Sequence, residues 1–525
     1  MKKKVFISVG IIWGLICIVF VVFLFRYDIK IIFNNIFVAD KTKTINLTEK
    51  QKLEDFDFFY DTIISSVPMI DEYESLYGFC IKEKKEYYRE LIKDTSSDYE
   101  FYCVMSAISQ EIPSFHTDLV SPDSISTLYC YNAKKIQSNR TVVSHNKYWK
   151  DLLSKHNYNE HEYYVFSYVN GKYLFNASES ICEDNYQQAE LLDIDGVNID
   201  NYVIDKVLIY NLYYDGVHNK PCRTKIVLND SVGEKTNVTM KLSDGSIVTK
   251  TLYYSIFEEN KYLQMGLSKT INNDFEIYQN DNYAYVEVNN MDNNYGEDLK
   301  YELHKIKCNN IILDLRNNYG GNVEYASKYI YPPLFSNDIE ESSLWYMPLS
   351  IENKTIADDF MNKIVLKFRN AENSPYYSDY KIVCSEAKQK YKGENENNKN
   401  VIILTSQKTG SAADRFASDM KKDKLATIIG NNSGGEGLMY SYNASVLPNS
   451  KLVFIYMPGG AKNPDGSDNS VCGTKPDEYL CQTEHDYYTY IEMRNENSNI
   501  DAFNEKLKYD TILRHCVDNF LNQDK

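Results

Sequence analysis

The first thirty residues carry the clearest hydrophobic pattern of the chain. Three consecutive lysines precede residues 5–25, which carry no charge, and Arg26 follows them. An apolar run of this length is sufficient to cross the hydrocarbon core of a bilayer as a helix, and the lysines favour a cytoplasmic N-terminus. A cleaved signal peptide is the alternative, but its apolar stretch is usually shorter and ends in small residues. We therefore predict a cytoplasmic tip (1–4), a transmembrane anchor (5–25), a stalk (26–48) and an extracytoplasmic remainder at the cell membrane.

The region that follows the stalk has the periodicity of helices. Apolar residues recur at intervals of three and four, as in Leu53, Phe56, Phe59 and Ile63, and this spacing places them on one face of a helix. The pattern predicts a helical domain over residues 49–159.

Residues 160–275 have the pattern of a β domain. Short runs rich in tyrosine, valine and isoleucine are separated by Asn-Gly or Asp-Gly pairs at 170–171, 195–196 and 244–245. Such pairs favour the tight turns of hairpins. The pattern therefore predicts a compact antiparallel β structure.

The last 250 residues alternate in a different way. Continuous apolar runs at 284–288, 310–315, 401–405, 426–429 and 452–456 read as buried strands, with helical segments between several of them. Buried strands that alternate with helices are typical of an α/β sheet covered on both faces. We predict an α/β domain over 276–525, in which the charged stretch 385–400 is an exposed loop.

Composition and charge narrow the possible functions. The chain has 525 residues, of which 43% are hydrophobic and 25% charged, as in a folded multidomain protein. Its net charge of -17 argues against nucleic acid as a partner, because phosphates would be repelled. Scattered histidines such as His156 and His161 lack a metal-binding spacing, and no phosphate-binding or dinucleotide motif is found. We therefore expect neither a metal nor an organic cofactor.

Ser411 is the first candidate for chemistry. The strand at 401–405 passes through a short turn into a helix that begins at Ser411. A serine in this position lies at the positive end of the helix dipole, which stabilises developing negative charge. The alternative is structural, because Ser411 and Asp414 also have the spacing of a capping box.

A second candidate segment is the Gly320-Gly321 pair that follows the strand at 310–315. Glycines present backbone N–H groups without obstruction by side chains, so this turn is suited to form half of an oxyanion hole. An ordinary strand-to-helix connection is the alternative.

Taken together, these segments resemble a known family. Asp314-Leu-Arg-Asn-Asn-Tyr-Gly-Gly, followed some ninety residues later by Ser411-Ala-Ala-Asp, is similar to the tail-specific (C-terminal processing) serine peptidases, which include the tricorn core peptidase. The resemblance implies a crotonase/ClpP-like catalytic core over 276–525 and a PDZ-like β domain over 160–275. It also implies a nucleophile at Ser411 and an oxyanion hole made by the Ala412 N–H and the Gly320-Gly321 turn.

The base can also be assigned from the resemblance. One branch of the family uses a lysine about twenty-five residues after the nucleophile, but this sequence has Glu436 there. The tricorn-like branch uses a histidine that precedes the β domain, and the segment around His116 resembles it. Imidazole suits the task because its pKa lies near neutrality. The acid that orients His116 is left open between Asp468 and Glu436.

The sequence therefore predicts a membrane-anchored serine endopeptidase that acts outside the cytoplasm on peptides, unfolded proteins or protein tails. The alternative is a catalytically weak or inactive relative that binds peptides or other ligands through the same fold, because a fold does not fix a function.

Overall fold

The protein is described by a computed structural model. It describes residues 30–31, 45–78, 80–114, 116–128, 130, 132–156, 161–183, 186–266, 274–348, 369–370, 382–438, 442–496 and 500–522. The predicted anchor at 5–25 lies outside these residues. Among the helices within them, none is both long enough and apolar enough to cross a membrane.

The N-terminal region is helical, as predicted. Its helices are α1 (Glu49–Ser66), α2 (Ile70–Tyr77), α3 (Lys85–Lys93), α4 (Asp98–Ser109), α5 (Ala133–Gln137) and α6 (Arg140–Leu153), and a short strand β1 (Asp118–Leu119) lies among them. Helix α1 begins with a complete capping box, because the Thr48 side chain accepts from the Gln51 backbone and the Gln51 side chain accepts from the Thr48 backbone. The apolar faces of α1 to α4 form one buried core that also includes Trp149 of α6, whereas Ile136 of α5 and Val142 of α6 lie in a second cluster.

The β domain is built on a seven-stranded sheet in the order β3-β2-β8-β10-β9-β4-β5. Its elements are β2 (Tyr163–Val169), β3 (Lys172–Phe175), β4 (Glu190–Ile194), β5 (Val197–Asn198), α7 (Ile199–Asp205), β8 (Lys225–Asn229), β9 (Glu234–Lys241), β10 (Ile247–Tyr254) and α8 (Ile256–Gly266). A separate two-stranded hairpin, β6 (Leu212–Asp215) with β7 (Lys220–Arg223), extends from it. Both residues of the pairs 170–171 and 195–196 have positive φ angles, as two-residue hairpin turns of the I′ type require, whereas in the pair 244–245 only Gly245 does.

The C-terminal region contains a six-stranded sheet in the order β11-β12-β13-β17-β18-β22. The strands are β11 (Phe275–Gln279), β12 (Tyr283–Val288), β13 (Asn310–Asp314), β17 (Asn400–Thr405), β18 (Ala426–Gly430) and β22 (Glu478–Tyr479). From β12 onward, neighbouring strands are parallel, and β11 is antiparallel.

Helices cover both faces of this sheet, which explains the continuous apolar strands. One face packs on α9 (Gly296–His304), α10 (Tyr331–Leu334) and α11 (Ala412–Lys422). The other face is covered by α14 (Phe503–Tyr509) and α15 (Thr511–Asn522). These two helices follow α12 (Asn469–Cys472) and α13 (Glu484–Asn495) in the chain. Ile311 and Ile312 point to opposite faces because side chains alternate along a strand.

Two smaller sheets complete the region. Strands β14 (Ile339–Pro348), β15 (Arg369–Asn370), β16 (Ile382–Tyr391) and β21 (Gly460–Ala461) form one of them. The prediction of an exposed loop over 385–400 is therefore wrong for its first part, because residues 385–391 pair with β14 at seven positions. In the other sheet, β1 lies beside β20 (Val453–Tyr456), which pairs with β19 (Asn443–Val446).

The pairing of β1 with β20 joins the helical region to the C-terminal region. Asp118 lies opposite Ile455, and Leu119 lies opposite Phe454. Phe454 is fully buried in the same apolar core as the helices α1 and α4. The helical region is thereby packed directly over the C-terminal half of the chain, and the segment that carries His116 is brought to it.

Candidate active site

Ser411 lies where strand β17 gives way to helix α11. It occupies the N-cap position of this helix, but its side chain accepts no hydrogen bond from the first helical turn. Its backbone has φ 50° and ψ -121°, a conformation that is rare for a residue other than glycine. The capping role considered from sequence is therefore not formed, and the helix N-terminus directs its positive dipole end at the serine.

The Gly320-Gly321 turn packs directly against Ser411 and its neighbours. A Cβ atom on Gly320 would lie 2.7 Å from the Gly410 carbonyl oxygen and 2.8 Å from the Ala412 nitrogen, so only glycine fits. Both glycines have positive φ angles, 101° and 142°. The buried Asn318 ties the two segments together, because its carbonyl accepts from the Gly410 N–H at 3.0 Å.

Not all of the predicted oxyanion donors are available. The Gly320 N–H donates to Asn318 Oδ1 at 2.8 Å and is therefore engaged. No hydrogen bond within the described residues uses the N–H of Ala412 or of Gly321. Since Gly320 lies beside both Ser411 and Ala412, the pair of N–H groups left for an oxyanion is that of Ala412 and Gly321.

His116 is held by a buried carboxylate. Its ring nitrogen Nδ1 lies 2.6 Å from Glu436 Oε2, and its backbone N–H donates to the same oxygen at 2.9 Å. The Ser114 hydroxyl donates to the other oxygen, Oε1. The imidazole ring stacks on Tyr442 with ring centroids 4.6 Å apart. A carboxylate on Nδ1 favours the tautomer in which Nε2 has a free lone pair, which is the form that a base requires.

The loop that carries Glu436 also contacts Ser411, through the residue before Glu436. The Ser411 N–H donates to the Gly435 carbonyl at 2.9 Å, and Gly410 and Gly435 form a parallel bridge. Glu436 is 2% exposed and has φ 63°. Among the described residues, no hydrogen bond joins the Ser411 hydroxyl to the His116 ring. The direct contact of about 2.6–3.2 Å that general-base catalysis requires is thus not formed here.

Asp468, the other candidate for the orienting acid, has a different role. It caps helix α12, where its side chain accepts from the Ser470 N–H at 2.9 Å. It also pairs with Lys462 at 3.3 Å. Of the two acids left open by the sequence, Glu436 is the one that contacts His116 Nδ1.

Asp414 is a buried residue whose importance the sequence did not reveal. Its carboxylate accepts from the Ser433 hydroxyl, the Thr474 hydroxyl at 2.7 Å, the Asn469 amide at 3.0 Å and the Gly437 N–H at 3.1 Å. Burial raises the pKa of Asp414 above its usual range, and these hydrogen bonds oppose the shift. From its place three residues after Ser411, Asp414 was expected to take part in a helix cap. Instead, its bonds to Ser433 and Gly437 fix the chain on both sides of Glu436.

A metal ion has no evident place in the described residues. Within them, no three side chains of histidine, cysteine, aspartate or glutamate are grouped closely enough to hold one. A serine hydroxyl, backbone N–H groups beside it and an imidazole held by a buried carboxylate are the parts from which acyl-transfer sites are built.

Part of the chain matches a known peptidase family. The family described as peptidase family S41 matches residues 282–480. A probable CtpA-like serine protease of Staphylococcus haemolyticus is 22% identical over 288 residues, which cover 53% of this chain and 49% of that protein. The chain thus spans about half the length of this curated relative.

Among solved structures, mature CPAF has a similar fold. Its complex with lactacystin gives a TM-score of 0.50 at 12% sequence identity, covering 90% of this chain and 99% of that chain. Mature CPAF alone gives the same TM-score and identity, with 90% and 98% covered. At this identity the likeness concerns the fold alone, and it extends through the helical and β regions as well as the C-terminal one.

Proposed function

We propose that the chain is a serine endopeptidase acting on unfolded proteins or protein tails, in keeping with the match of residues 282–480 to peptidase family S41. The observation that carries the proposal is the 2.6 Å contact between His116 Nδ1 and the buried Glu436 carboxylate. The backbone beside Glu436 is itself bonded to Ser411 through Gly435. A buried acid that orients an imidazole next to a serine is the arrangement that serine peptidases use.

In the proposed reaction, Ser411 Oγ attacks the carbonyl carbon of a peptide bond and His116 Nε2 accepts the hydroxyl proton. Glu436 holds the ring and stabilises the imidazolium that forms. The negative charge on the former carbonyl oxygen is bound by the N–H groups of Ala412 and Gly321. His116 then donates the proton to the departing amine, and a water molecule releases the acyl group by the reverse sequence of proton transfers.

The proposed reaction requires His116 to move toward Ser411. His116 lies beside Tyr442 and is bonded to Glu436, and bringing its Nε2 to the Ser411 hydroxyl would complete the relay. Catalytic hydrogen bonds are often longer before a substrate binds. The proposal therefore includes an approach of His116 toward Ser411 when a substrate binds.

The cellular setting and the finer fold assignment belong to the same proposal. Residues 5–25 and the lysines before them support a single-pass anchor with the catalytic region outside the cytoplasm. The parallel sheet that carries the Gly320-Gly321 turn and Ser411 supports a crotonase/ClpP-like core. The seven-stranded β domain with helix α7 supports a PDZ-like module.

A second candidate function is a peptide-binding protein with little activity. It is favoured by one observation, namely that no hydrogen bond joins Ser411 to His116 in the described residues. The two candidates differ in the reactivity of the Ser411 hydroxyl, which only an activated serine shows toward fluorophosphonates.

The test uses the full-length chain in detergent micelles with a fluorophosphonate probe and unfolded casein. We expect labelling at one site and casein cleavage in the presence of a metal chelator, both abolished by Ser411→Ala. Ser243→Ala, at an exposed serine between β9 and β10 of the β domain, serves as the matched control and should behave as the wild type. Cleavage that survives Ser411→Ala, or a folded wild type that neither labels nor cleaves, would refute the peptidase proposal.

A further inference from the structure

The turn of the β6–β7 hairpin lies against the loop that carries the orienting acid. This loop, residues 431–436, directly follows strand β18 and ends with Glu436. Asp215 Oδ1 accepts from the Asn431 side-chain amide at 2.8 Å, and the Gly216 N–H donates to Asn431 Oδ1 at 3.0 Å. The β domain therefore holds the first residue of the loop through both polar atoms of its side chain.

The hairpin turn and the loop are closely packed at this contact. A Cβ atom on Gly216 would lie 2.6 Å from Asn432 Oδ1 and 2.7 Å from a ring carbon of Tyr479. The Tyr479 hydroxyl also donates to Asn432 Oδ1, at 2.7 Å. Asn431 and Asn432 are buried. Because closely packed interiors do not deform freely, the start of the loop cannot shift without the hairpin turn.

Asp215 is itself fixed within the β domain. It is buried, its Oδ2 accepts from the Tyr168 hydroxyl at 2.6 Å, and the same oxygen lies 2.7 Å from His218 Nδ1. Burial alone would raise the pKa of Asp215, but the hydrogen bonds from Tyr168, Asn431 and His218 hold this pKa below its usual range. The side chain is therefore a carboxylate at neutral pH, and a charged acceptor strengthens the bond to Asn431.

The far end of the same loop contacts both parts of the candidate active site. The Gly435 carbonyl accepts from the Ser411 N–H at 2.9 Å, and Glu436 Oε2 lies 2.6 Å from His116 Nδ1. Glu436 is five residues after Asn431 in the chain. A displacement of Asn431 would therefore reach the acid through a short segment whose members are largely buried.

Two carboxylates from different regions of the chain hold this loop. Asp414, on the helix that begins after Ser411, accepts from the Ser433 hydroxyl and from the Gly437 N–H. Asp215, on the β domain, binds the start of the loop at Asn431. Because one of the two carboxylates lies outside the C-terminal region, the position of the loop depends on how the β domain is docked.

We propose that Asp215 is a positioning residue for the peptidase reaction, and that through Asn431 it holds the 431–436 loop where Glu436 reaches His116. This inference rests on the proposed peptidase function and deepens it. The β domain then supports the catalytic residues with a carboxylate of its own, and His116 is correctly oriented only while the hairpin turn is docked on the loop.

The experiment measures kcat and KM on casein-derived peptides with the full-length protein in micelles. Asn431→Asp places a second carboxylate against Asp215, so it should release the loop and lower kcat by about 10–100-fold with little change in KM. In the exchange variant Asp215→Asn/Asn431→Asp, the amide and the carboxylate trade places. The bond between the two side chains and the bond from the Gly216 N–H can then form again, so most of the lost kcat should return. Asn282→Asp makes the same change at an exposed asparagine in the turn between β11 and β12, and as the matched control it should keep the wild-type kcat.

A second measurement separates positioning from a general structural role. If Asn431→Asp acts through Glu436, it should change kcat by less than about twofold when it is added to Glu436→Gln, because the orienting acid is already lost there. A loss of equal size in the wild-type and Glu436→Gln backgrounds would mean that the substitution disturbs the fold as a whole, and would overturn the inference.

Two further results would overturn it as well: a folded Asn431→Asp with the wild-type kcat, or an exchange variant that is no more active than Asn431→Asp. If Asn431→Asp does not fold, Asn431→Ala takes its place, since it removes both side-chain bonds without adding a charge, and the same loss of kcat is expected. Fluorophosphonate labelling separates this inference from the function on which it rests. A folded wild type that neither labels nor cleaves would refute the peptidase function itself, whereas the variants test Asp215 in a wild type that does both.

Discussion

At the residue scale, the candidate site depends on two side chains held in unusual backbone conformations. Ser411 has φ 50° and Glu436 has φ 63°, and neither is a glycine. Each such residue costs on the order of 1–3 kcal/mol, and residues of this kind cluster at functional sites. Hydrogen bonds to the buried Asp414 carboxylate offset this conformational cost. The donors are Ser433, Gly437 and Thr474.

The role of Glu436 gives the first prediction at this scale. Glu436→Gln should lower kcat on casein-derived peptides by about 10²–10⁴-fold with little change in KM, because an amide does not enforce the required tautomer of His116. Asp468→Asn is the matched control, since that carboxylate caps helix α12 and pairs with Lys462, and it should retain kcat within about tenfold. Steady-state kinetics of both variants show which of the two carboxylates orients His116. The opposite ranking would restore Asp468 as the orienting acid.

At the element scale, the strands and turns were predictable and the pairing between loops was not. The apolar runs at 310–315 and 401–405 and the Gly320-Gly321 turn are local signals, and the structure has strands β13 and β17 at these runs. The family match agrees with the resemblance read from the same segments. The choice between Glu436 and Asp468 depends instead on how two loops fold around Asp414, which no local pattern reports.

The Gly320-Gly321 turn provides a prediction at the same scale. Gly320→Ala should abolish fluorophosphonate labelling, because its Cβ would lie 2.7 Å from the Gly410 carbonyl oxygen and push the turn away from Ser411. Gly245→Ala is the matched control: its φ is also positive, 85°, but no atom lies within 4 Å of the added Cβ. It should cost about 1 kcal/mol of stability and leave labelling intact. Equal labelling of both variants would contradict the close packing of the turn on the nucleophile.

At the scale of the whole molecule, distant parts of the chain are joined through buried polar contacts. Arg223 of the β domain is fully buried and binds Glu111, which precedes the His116 segment, and it also donates to three or more backbone carbonyls that include Val203 and Leu208. The approach of His116 to Ser411 depends on this assembly and on the pairing of β1 with β20. Such long-range contacts explain why sequence patterns predicted each region better than their arrangement.

The same junction makes stability depend on pH. Glu259 on helix α8 is buried and accepts from the Ile209 N–H at 3.3 Å and the Tyr254 hydroxyl at 3.0 Å. Burial raises its pKa from 4.5 to about 7, while Arg223 partly opposes the shift. The folded state therefore binds a proton more tightly than the unfolded state. Between pH 4.5 and 7 this group makes the free energy of unfolding fall as pH rises, by about 3 kcal/mol.

Glu259→Gln should remove this contribution, because an amide keeps the neutral form at every pH. Thermal unfolding of the full-length protein at intervals from pH 5 to pH 8 should show Tm falling with pH in the wild type and a clearly flatter dependence in the variant. Glu297→Gln, at an exposed glutamate of helix α9, should retain the wild-type slope. The direction in which Tm changes with pH distinguishes two cases. If Arg223 instead stabilised the Glu259 carboxylate, Tm of the wild type would rise between pH 5 and pH 8. Glu259→Gln would then lower Tm most at pH 8. A parallel course for wild type and Glu259→Gln would mean that Glu259 ionises in the folded protein as it does in the unfolded chain.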